Sequence, residues 1–579
     1  MGEVVPFTQA QKEYFEGYAA GLRARGLVPL AGQPISSTPA APSADTAFGL
    51  PLDDLTREER LKLEENPLDI WDKILRHAAA GKPPEGGDVF RFKFHGLFYV
   101  APTQDSFMVR VRIPSNVATS TQWRALARIA ATWGKGYGDV TTRGNVQIRE
   151  FAPKDTVNVL MALADAGLSS QGAGADNIRN ITATPTSGLD PTELYDVRPL
   201  ARGLQFYIKN NRDLFGLPRK FNVAFDTGGS VSVVADTNDI GFQAVRVAEG
   251  KSVPAGIYFR VLLGGITGHG VFARDAGILV QPEECVAVAA AIVRAFAEHG
   301  DRTDRNKARM HYAIERIGLE AFLASVEKHL PAPLRRVDEE ECQPRRLVLR
   351  HGHIGIYKQK QPGLNYVGLV IPVGRMTSRQ MDGLADIADE CGSGELRPTV
   401  WQNVIIPNVP DDKLALLERR VKSLGFDLRA SSVAAGLVAC TGNTGCKFAQ
   451  SDTKGHALKI RKYLEQEVEL DRPINIHLTG CPNSCAQHDI GDIGLIGVRV
   501  PKGDQTVDGY NLHVGGGCDN ERGLGREIAK SLAFDEVPQI LAKLVRGYMG
   551  QRIGGESFLE FARRQDIAAL KTLAGVDAR

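Results

Sequence analysis

An internal repeat constrains the fold of this chain more than any other feature of its sequence. When the sequence is shifted by 258 positions, residues 107–168 align with residues 365–426 without a gap, and 17 of the 62 aligned positions are identical. Thr119 aligns with Thr377, for example, and Asn145 aligns with Asn403. So many identities in one register predict two copies of one structural unit.

Each copy is predicted to contain two strands and two helices in alternation. In the first copy the pattern predicts a strand at 107–114, a helix at 119–132, a strand at 140–149 and a helix at 155–166. Because each copy has an apolar face to bury, we expect the two copies to pack as pseudo-symmetric halves of one central domain.

Composition indicates a soluble, multidomain protein. A chain of 579 residues exceeds what one core accommodates, so about three domains are expected. The longest apolar runs, such as Val286–Val293, are too short to cross a bilayer, and no secretory signal is visible at the N-terminus. We therefore expect a cytoplasmic protein with reduced cysteines and no membrane partner. A net charge of +2 gives no indication of nucleic-acid binding.

The first copy carries polar side chains where the second copy does not. Arg110 and Arg112 are expected on one face of a strand, since alternate strand residues point the same way. The second predicted strand, "TTRGNVQIR", has a continuous polar face, made of Thr141, Arg143, Asn145, Gln147 and Arg149. For either strand alone, a sheet face exposed to solvent would explain the polar residues. Two adjacent strands with the same polar face favour instead a site in which guanidinium groups bind a polyanion.

Four of the eight cysteines occur as two pairs. Cys440 and Cys446 have five residues between them, and Cys481 and Cys485 have three. Zinc sites usually have two to four intervening residues, so the wider spacing fits an iron–sulfur cluster better. A helix is expected after Cys446, with its N-terminus helping to hold a thiolate. The other four cysteines are predicted to be buried packing residues: Cys285, Cys342, Cys391 and Cys518.

These residues together resemble the siroheme-containing nitrite and sulfite reductases, and most of all the ferredoxin-dependent assimilatory nitrite reductases. The resemblance lies in the cysteine spacing within "TGCPNSC", in the duplicated unit and in "FMVRVRIP", "TTRGNVQIR", "DNIRN", "LPRKFN", "WQNVIIPNVP" and "DIGLIG". It extends from about residue 60 to beyond residue 500. The resemblance implies an α+β fold with three domains and a pseudo-two-fold internal duplication.

The resemblance also implies a division of the chain into five segments. These are an N-terminal helix and linker (1–55), a first ferredoxin-like repeat half (56–170), a siroheme-binding α/β domain (171–345), a second ferredoxin-like half (346–430) and a domain for the 4Fe–4S cluster and siroheme (431–579). Within the first segment, a helix is expected at 8–26 and a linker at 31–52.

By resemblance, the site holds a 4Fe–4S cluster beside a siroheme. The cluster ligands would be Cys440, Cys446, Cys481 and Cys485, with Cys485 also the axial ligand of the siroheme iron. The siroheme carboxylates would be held by Arg143, Asn145, Gln147, Arg149, Asn483 and Gln487. The substrate anion would be held by Arg110, Arg179, Lys220 and Asn222.

Asn222 bears on the choice of substrate. Sulfite-reducing relatives have a second lysine two residues after the first, and Asn222 occupies that place here. One fewer cation suits a monoanion, so the resemblance favours six-electron reduction of nitrite to ammonium. Reduction of sulfite to sulfide is the alternative. A siroheme-free iron–sulfur relay, scaffold or assembly protein is a second alternative, although it would not need the anion-binding cations.

The electron donor is expected to be external. The sequence has no GxGxxG after a strand and no evident flavin or nicotinamide segment, so ferredoxin or flavodoxin is implied. Candidate docking residues near the cluster are Lys447, Lys454, Lys459, Arg461 and Lys462, although a solvated helix face explains any one of them. We expect the protein to act as a monomer.

Overall fold

The computed structural model describes residues 46–576. The expected helix at 8–26 and most of the linker at 31–52 lie outside the described residues. Between residues 46 and 576, no helix combines the length and apolar character needed to span a membrane. The same part of the chain forms four sheets of five or six strands and one two-stranded hairpin.

The first described segment contains the first repeat copy and the helices that precede it. Its strands are β1 (Thr46–Ala47), β2 (Leu50–Pro51), β3 (Leu97–Val100), β4 (Ser106–Arg110), β5 (Ala118–Thr119), β6 (Tyr137–Val140) and β7 (Val146–Phe151). Its helices are α1 (Arg57–Glu64), α2 (Trp71–Ala80), α3 (Asp88–Arg91), α4 (Ser120–Thr132) and α5 (Thr156–Asp165). The Thr119 side chain caps α4, and Gln122 returns the bond to the Thr119 backbone.

The next segment forms a six-stranded mixed sheet of its own. Its strands are β8 (Ile178–Ala183), β9 (Phe221–Asp226), β10 (Ile240–Val247), β11 (Gly256–Leu263), β12 (Arg274–Val280) and β13 (Arg335–Arg336), and its helices are α6 (Arg198–Lys209), α7 (Cys285–His299), α8 (Met310–Ile317) and α9 (Leu319–Glu327). The sheet order is 13-12-11-10-9-8, and β8, β9 and β10 run parallel. The apolar run Val286–Val293 lies in α7, within the core beneath this sheet.

The second copy repeats the pattern of the first. Its strands are β14 (Gly355–Lys358), β15 (Leu364–Leu369), β16 (Arg375–Thr377), β17 (Glu395–Pro398) and β18 (Val404–Pro410), and its helices are α10 (Ser378–Cys391) and α11 (Leu414–Ser423). Thr377 and Gln380 cap α10 as Thr119 and Gln122 cap α4. The repeat is therefore visible in the capping residues as well as in the elements.

The last segment forms a five-stranded sheet covered by helices. Its strands are β19 (Leu437–Ala439), β20 (Ile476–Thr479), β21 (Ile493–Lys502), β22 (Gln505–Val514) and β23 (Arg526–Ala533), and its helices are α12 (Thr453–Glu467), α13 (Val537–Gln551), α14 (Phe558–Arg564) and α15 (Ile567–Ala574). The sheet follows chain order, with β19, β20 and β21 parallel. Parallel pairing brings the carboxyl ends of β19 and β20 to one edge.

The two copies exchange short strands. β16 of the second copy pairs with β6 of the first, and β5 of the first pairs with β17 of the second. Two backbone hydrogen bonds at equivalent positions also join the copies. The Ser120 N–H donates to the Gly394 carbonyl (2.7 Å), and the Ser378 N–H donates to the Gly136 carbonyl (2.8 Å). Helices α4 and α10 pack against each other in one shared core. The expectation that the copies form pseudo-symmetric halves of one domain is confirmed.

The predicted strand at 140–149 is wrong in its bounds. The chain turns between β6 and β7, where the Gly144 N–H donates to the Thr141 carbonyl (3.0 Å). Gly144 has φ of +57°, and a Cβ there would overlap the Asn116 side-chain amide. Thr141, Arg143 and Asn145 therefore belong to a turn, so strand alternation does not explain their shared orientation.

Equivalent leucines in the shared core give a test of the duplication. Leu126 in α4 and Leu384 in α10 are both fully buried. Each change to alanine is expected to lower the free energy of unfolding by about 2–5 kcal/mol, because apolar contacts are lost and a cavity remains. Denaturant titration measures the loss, and the exposed Met161→Ala is the control, expected within about 0.5 kcal/mol of the parent. Equal, small effects at all three positions would contradict the shared core.

Candidate functional site

One cavity of about 470 Å³ lies where the first copy, the six-stranded sheet and the last sheet meet. It is lined by every residue that the sequence analysis assigned to the site, namely Arg110, Arg143, Asn145, Gln147, Arg149, Arg179, Lys220, Asn222, Cys440, Cys446, Cys481, Asn483, Cys485 and Gln487. The residues come from segments that are hundreds of positions apart in sequence. The structure thus brings the whole set together, while the role of each residue stays a prediction.

The cavity is strongly positive. Within residues 46–576, eleven lysine and arginine residues line it, against one carboxylate, Asp139. Four of the eleven were not predicted from the sequence, namely Lys93, Arg219, Arg305 and Arg309. Such a concentration of one charge attracts and holds anions. Arg305 and Arg309 could have been suspected from the basic stretch "RNKARMH", where they are four residues apart before a helix.

Two of the cysteines follow neighbouring parallel strands. Cys440 comes directly after β19 and Cys481 comes two residues after β20, so both lie at the same edge of the last sheet. The Gly480 N–H donates to Cys440 Sγ (3.2 Å), and the Asn483 amide donates to Cys481 Sγ (3.5 Å). The sheet edge therefore aims one cysteine of each sequence pair into the cavity.

The helix expected after Cys446 serves a different cysteine. It begins at Thr453, and the Thr453 hydroxyl lies 3.5 Å from Cys440 Sγ. The N-terminus of α12 thus lies beside Cys440, where its partial positive charge favours a thiolate. The expectation placed this N-terminus at Cys446 because the residues between Cys446 and α12 were read as helical.

The donor set suits a cluster better than a single ion. Within residues 46–576, no three Cys, His, Asp or Glu side chains converge closely enough to hold one metal ion. Four thiols spaced around a cavity fit a group in which each thiolate binds a separate iron. Burial and the neighbouring Cys485 raise the pKa of the Cys440 thiol to about 11, so a bound cation is needed to keep it ionised.

The turn between β6 and β7 presents a row of polar groups. Asn180 fixes the turn, since its amide donates to the Arg143 carbonyl (2.9 Å). Arg149 is held by Thr441 Oγ1 (2.8 Å) and the Gly445 carbonyl (3.2 Å). One buried donor at the cavity, Asn145 Nδ2, has no hydrogen-bond partner among the described residues, and Arg149 Nε forms an ion pair with Asp139 Oδ2 at 3.6 Å. An unpaired buried donor in a positive cavity indicates a place for an acceptor group of a ligand.

Arg110 and Arg179 lie close together and bind the same backbone segment, 173–175. Arg110 Nη1 donates to the Ala173 carbonyl (3.2 Å) and Arg179 Nη2 donates to the Ala175 carbonyl (2.7 Å). Burial lowers the pKa of Arg110 to about 10, and burial with the nearby Arg110 lowers the pKa of Arg179. Arg112, predicted on the same face, instead donates to the Ile178 carbonyl (2.9 Å) and does not line the cavity. A bound anion would offset the electrostatic repulsion between two guanidinium groups that lie so close together.

Lys220 and Asn222 lie at the start of β9 and both reach the cavity. The Asn222 N–H donates to Asp239 Oδ2 (2.8 Å), and the same carboxylate pairs with Arg309 at 2.8–3.1 Å. Burial, with a further contribution from Arg309, lowers the pKa of Lys220 to about 7. Lys220 can therefore hold or release a proton near neutral pH.

The single carboxylate of the cavity is surrounded by cations. Arg375 of the second copy forms two bonds with Asp139 (2.8 and 3.1 Å), and Lys454 Nζ lies 3.4 Å away. Although burial acts to raise it, Lys454 and Arg375 bring the pKa of Asp139 down to about 2. Lys454 is buried and also donates to the Val373 carbonyl, so its assignment to an exposed docking patch is wrong. It joins α12 to both copies.

The remaining sequence-based assignments fall outside the cavity or at its edge. Lys447, Lys459 and Lys462 are exposed and Arg461 is half-buried. Cys285, Cys391 and Cys518 are buried and Cys342 is half-buried, and none of the four lines the cavity. Three of these cysteines thus pack as predicted.

Comparison with known protein families matches most of the chain. The family described as "Nitrite and sulphite reductase 4Fe-4S domain" matches residues 174–334 and 433–558. The family described as "Nitrite/Sulfite reductase ferredoxin-like half domain" matches residues 99–166 and 357–424. The second match falls on the two repeat copies.

Individual relatives align over most of their own length. A protein named ferredoxin–nitrite reductase from Synechococcus elongatus is 36% identical over 85% of this chain and 96% of its own. The chloroplastic ferredoxin–nitrite reductase of Zea mays is 35% identical, over 85% and 89% respectively. The solved structure titled "Structure of Mycobacterium tuberculosis NirA protein" superposes with a TM-score of 0.82 at 27% identity, covering 89% of this chain and 97% of that one.

Replacing Cys485 with serine tests the cysteine site. The variant is expected to lose most of its iron, acid-labile sulfide and visible absorption, because a hydroxyl does not replace a thiolate as an iron ligand. Cys391→Ser, at a buried cysteine outside the cavity, is the matched control and should keep all three. A Cys485→Ser protein with full iron, sulfide and absorption would overturn the site.

Proposed function

Because the chain belongs to the nitrite and sulphite reductase family, we propose that it catalyses the six-electron reduction of nitrite to ammonium with electrons from ferredoxin. The observation that carries the proposal is the cavity itself, which combines four cysteines with eleven cations. An electron-relay protein would need the cysteines alone. The cations that face the same cavity fit a protein that also binds an anion.

The family carries siroheme and a 4Fe–4S cluster, and the residues of the cavity fit both groups. Siroheme has eight carboxylates, which match the excess of lysine and arginine in the cavity and the unpaired side-chain N–H of Asn145. When bound, the two groups supply electrons to the substrate one at a time. We propose that the carboxylates are held by the row from Arg143 to Arg149 together with Asn483 and Gln487.

The chain's own contribution to the reaction is binding and proton control. We propose that Arg110, Arg179 and Lys220 hold the substrate anion, because they are partly buried cations that line the cavity. Arginines position the anion without releasing protons. Lys220, with a pKa of about 7, can give a proton to an oxygen that leaves as water. Asp239 fixes this arrangement by binding both Arg309 and the Asn222 backbone.

Asn222 supports nitrite over sulfite. Its side chain brings an uncharged amide to the cavity beside Lys220, so the anion meets one positive charge there rather than two. A dianion gains about twice as much as a monoanion from an added charge. The arrangement therefore favours the monoanion nitrite.

Dye-driven turnover of the purified holoenzyme tests the function. With a reduced viologen as donor, the protein should convert nitrite to ammonium with a higher kcat/KM than it shows for sulfite. Ammonium and sulfide are measured directly. Preference for sulfite would replace the proposal with sulfite reduction, and turnover of neither anion in a protein with full cofactors would reject both.

The substitution Asn222→Lys is expected to raise the ratio of sulfite to nitrite kcat/KM. One charge pair at 4 Å is worth about 4 kcal/mol at an effective dielectric of 20, and each 1.4 kcal/mol realised changes the ratio about tenfold. Asn222→Met removes the amide without adding charge and is the matched control. A ratio that moves equally in both variants would show that the added charge does not discriminate between the anions.

We propose that the electron donor docks beside Cys446. Lys447 follows this cysteine, and its ammonium lies 5.3 Å from the ring centroid of Phe448, which is 58% exposed. An exposed cation and aromatic ring next to the cluster suit a small acidic carrier such as ferredoxin. Lys459 and Lys462 on α12 extend the positive surface.

The salt dependence of turnover should distinguish docking of the electron donor from reduction of the substrate. Turnover driven by ferredoxin is expected to fall steeply as salt rises, whereas turnover driven by a small uncharged reductant is not, because salt screens the approach of charged surfaces. Lys447→Gln should raise the KM for ferredoxin about threefold and flatten its salt dependence. Lys530→Gln, at an exposed lysine outside the cavity lining, is the control. The same salt dependence with both donors would reject electrostatic docking.

Other expectations from the sequence remain proposals. We propose the five-segment division of the chain at residues 55, 170, 345 and 430, supported by the separate cores of the sheets. We also propose that the protein acts as a monomer and that it is cytoplasmic. The cytoplasmic assignment is supported by the cysteines, since all eight lie in the described part of the chain and form no disulfide there.

A further inference from the structure

Reduction of nitrite to ammonium, if the proposed function holds, consumes eight protons: NO₂⁻ + 8 H⁺ + 6 e⁻ → NH₄⁺ + 2 H₂O. The cavity lining is rich in arginine, which keeps its protons at neutral pH. Asp139 stays ionised because three cations surround it. Lys220 can donate, but after each donation it must be protonated again from solvent. The site therefore needs a group that connects the cavity with bulk water.

Among the residues that the structure describes, His269 is the one histidine that lines the cavity. It lies in a tight turn, Thr267–His269, closed by bonds from the Ile266 N–H to the Val271 carbonyl (2.8 Å) and from the His269 N–H to the Ile266 carbonyl (2.8 Å). The residue is exposed, so its ring meets both solvent and cavity. This turn packs closely against the loop that contains Cys481 and Cys485. At Gly268 the approach is so close that an added Cβ would come 2.9 Å from Ser484 Cβ. The position of His269 is therefore fixed.

The imidazole of His269 has one partner in the described structure. Its Nδ1 lies 2.7 Å from the hydroxyl of Tyr312, which stands at the start of α8 and is half-buried. Its Nε2 has no hydrogen-bond partner within residues 46–576. A ring with one nitrogen bound to a hydroxyl and the other open can take up a proton on one side and release it on the other.

We propose that His269 and Tyr312 form the proton entry of the nitrite site. In one transfer the Nε2–H bond of His269 breaks and its proton passes to water in the cavity, while Nδ1 accepts the hydroxyl proton of Tyr312. Solvent returns a proton to the tyrosine oxygen, so one transfer moves one proton inward and no electron, and it leaves the ring as the Nδ1–H tautomer. Exchange of the ring protons with solvent, which the exposed ring contacts, restores the Nε2–H tautomer before the next transfer. Lys220 then receives the proton and remains the group that meets the substrate.

The electrostatic surroundings suit this role. The charged groups that face His269 are Arg309, Lys220, Arg219 and His311, with Tyr312 as its hydrogen-bonding partner. Burial and these cations lower the pKa of His269, so the ring is neutral at neutral pH. A neutral ring both accepts and donates protons, and it adds no charge to a cavity that already has eleven cations.

Kinetics of the holoenzyme give the first test. His269→Gln should lower the kcat for viologen-driven nitrite reduction about tenfold and leave KM unchanged. The loss should be largest at alkaline pH, the solvent isotope effect should rise, and added imidazole should restore the rate. Tyr312→Phe should show a smaller loss of the same kind. His329→Gln, at a histidine paired with Glu298 away from the cavity, is the control.

Chemical labelling gives a second test that does not depend on turnover. Diethyl pyrocarbonate modifies neutral imidazole, and mass spectrometry follows the peptide that contains His269 as pH changes. Removing a cation that faces the ring should raise its pKa, so at pH 6 the peptide should react more slowly in Lys220→Met than in wild type. The other histidine peptides serve as internal references.

The outcomes separate this inference from the proposed function. Wild-type protein that fails to reduce nitrite rejects the function, whatever His269 does. Wild-type protein that reduces nitrite, together with a His269→Gln variant of unchanged kcat, isotope effect and imidazole response, overturns the proton entry. A labelling profile of His269 that does not change in Lys220→Met also overturns it, because the ring would not face the cations of the cavity.

Discussion

Repulsion among the cations of one cavity is the constraint around which this structure is organised. Eleven basic side chains from the described part of the chain meet there, and burial together with the neighbouring cations lowers the pKa of several of them. The fold counters this with carboxylates placed mostly behind the lining. Asp176 binds Arg305 through two bonds of 2.9 Å, Asp239 binds Arg309, and Asp139 binds Arg375 and Lys454. Each carboxylate fixes a cation in place while leaving the cavity positive for its ligands.

Duplication supplied two equivalent turns, and only one of them became a site. In the second copy Trp401 occupies the place of Arg143, and its ring stacks on His353 with centroids 6.0 Å apart. The His477 ring meets the tryptophan edge-on, with the ring centroids 5.9 Å apart. The same backbone therefore supports a charged ligand site in one copy and an aromatic core in the other. The difference follows from side-chain chemistry, since the turns share their asparagine.

Local patterns in the sequence predicted the repeat and the two cysteine pairs. The family resemblance supplied the roles proposed for the fourteen site residues, all of which line the cavity. Capping residues such as Thr119 and Thr377 mark equivalent helix starts, and the cysteine spacing is rare outside cluster proteins. The turn at Gly144 was missed, since a polar residue at every second position also fits a strand. Lys454 looked like a surface residue of a helix, and only the fold shows that it reaches Asp139.

Other parts of the site depend on contacts between distant segments and left no signal. His269 and Arg219 are ordinary residues in sequence, and the packing of the six-stranded sheet against the last sheet brings them to the cavity. Family resemblance supplied the roles of Lys220 and Asn222, which spacing alone would not have distinguished from surface charges. Position in the cavity, rather than residue type, makes these groups candidates for function.

The exchange of strands between the copies also affects how the chain is made. The edge of β6 finds its partner only in β16, and the ion pair between Asp139 and Arg375 spans 236 positions. A ribosome that adds roughly 5–20 residues per second needs about 10–50 s to cover that distance. During this interval the first half of the protein exists with an unpaired β-edge and a half-open core. Such an edge is a template for association with other chains. The nascent polypeptide therefore exposes the edge of β6 for a time, whereas the finished enzyme covers it with β16.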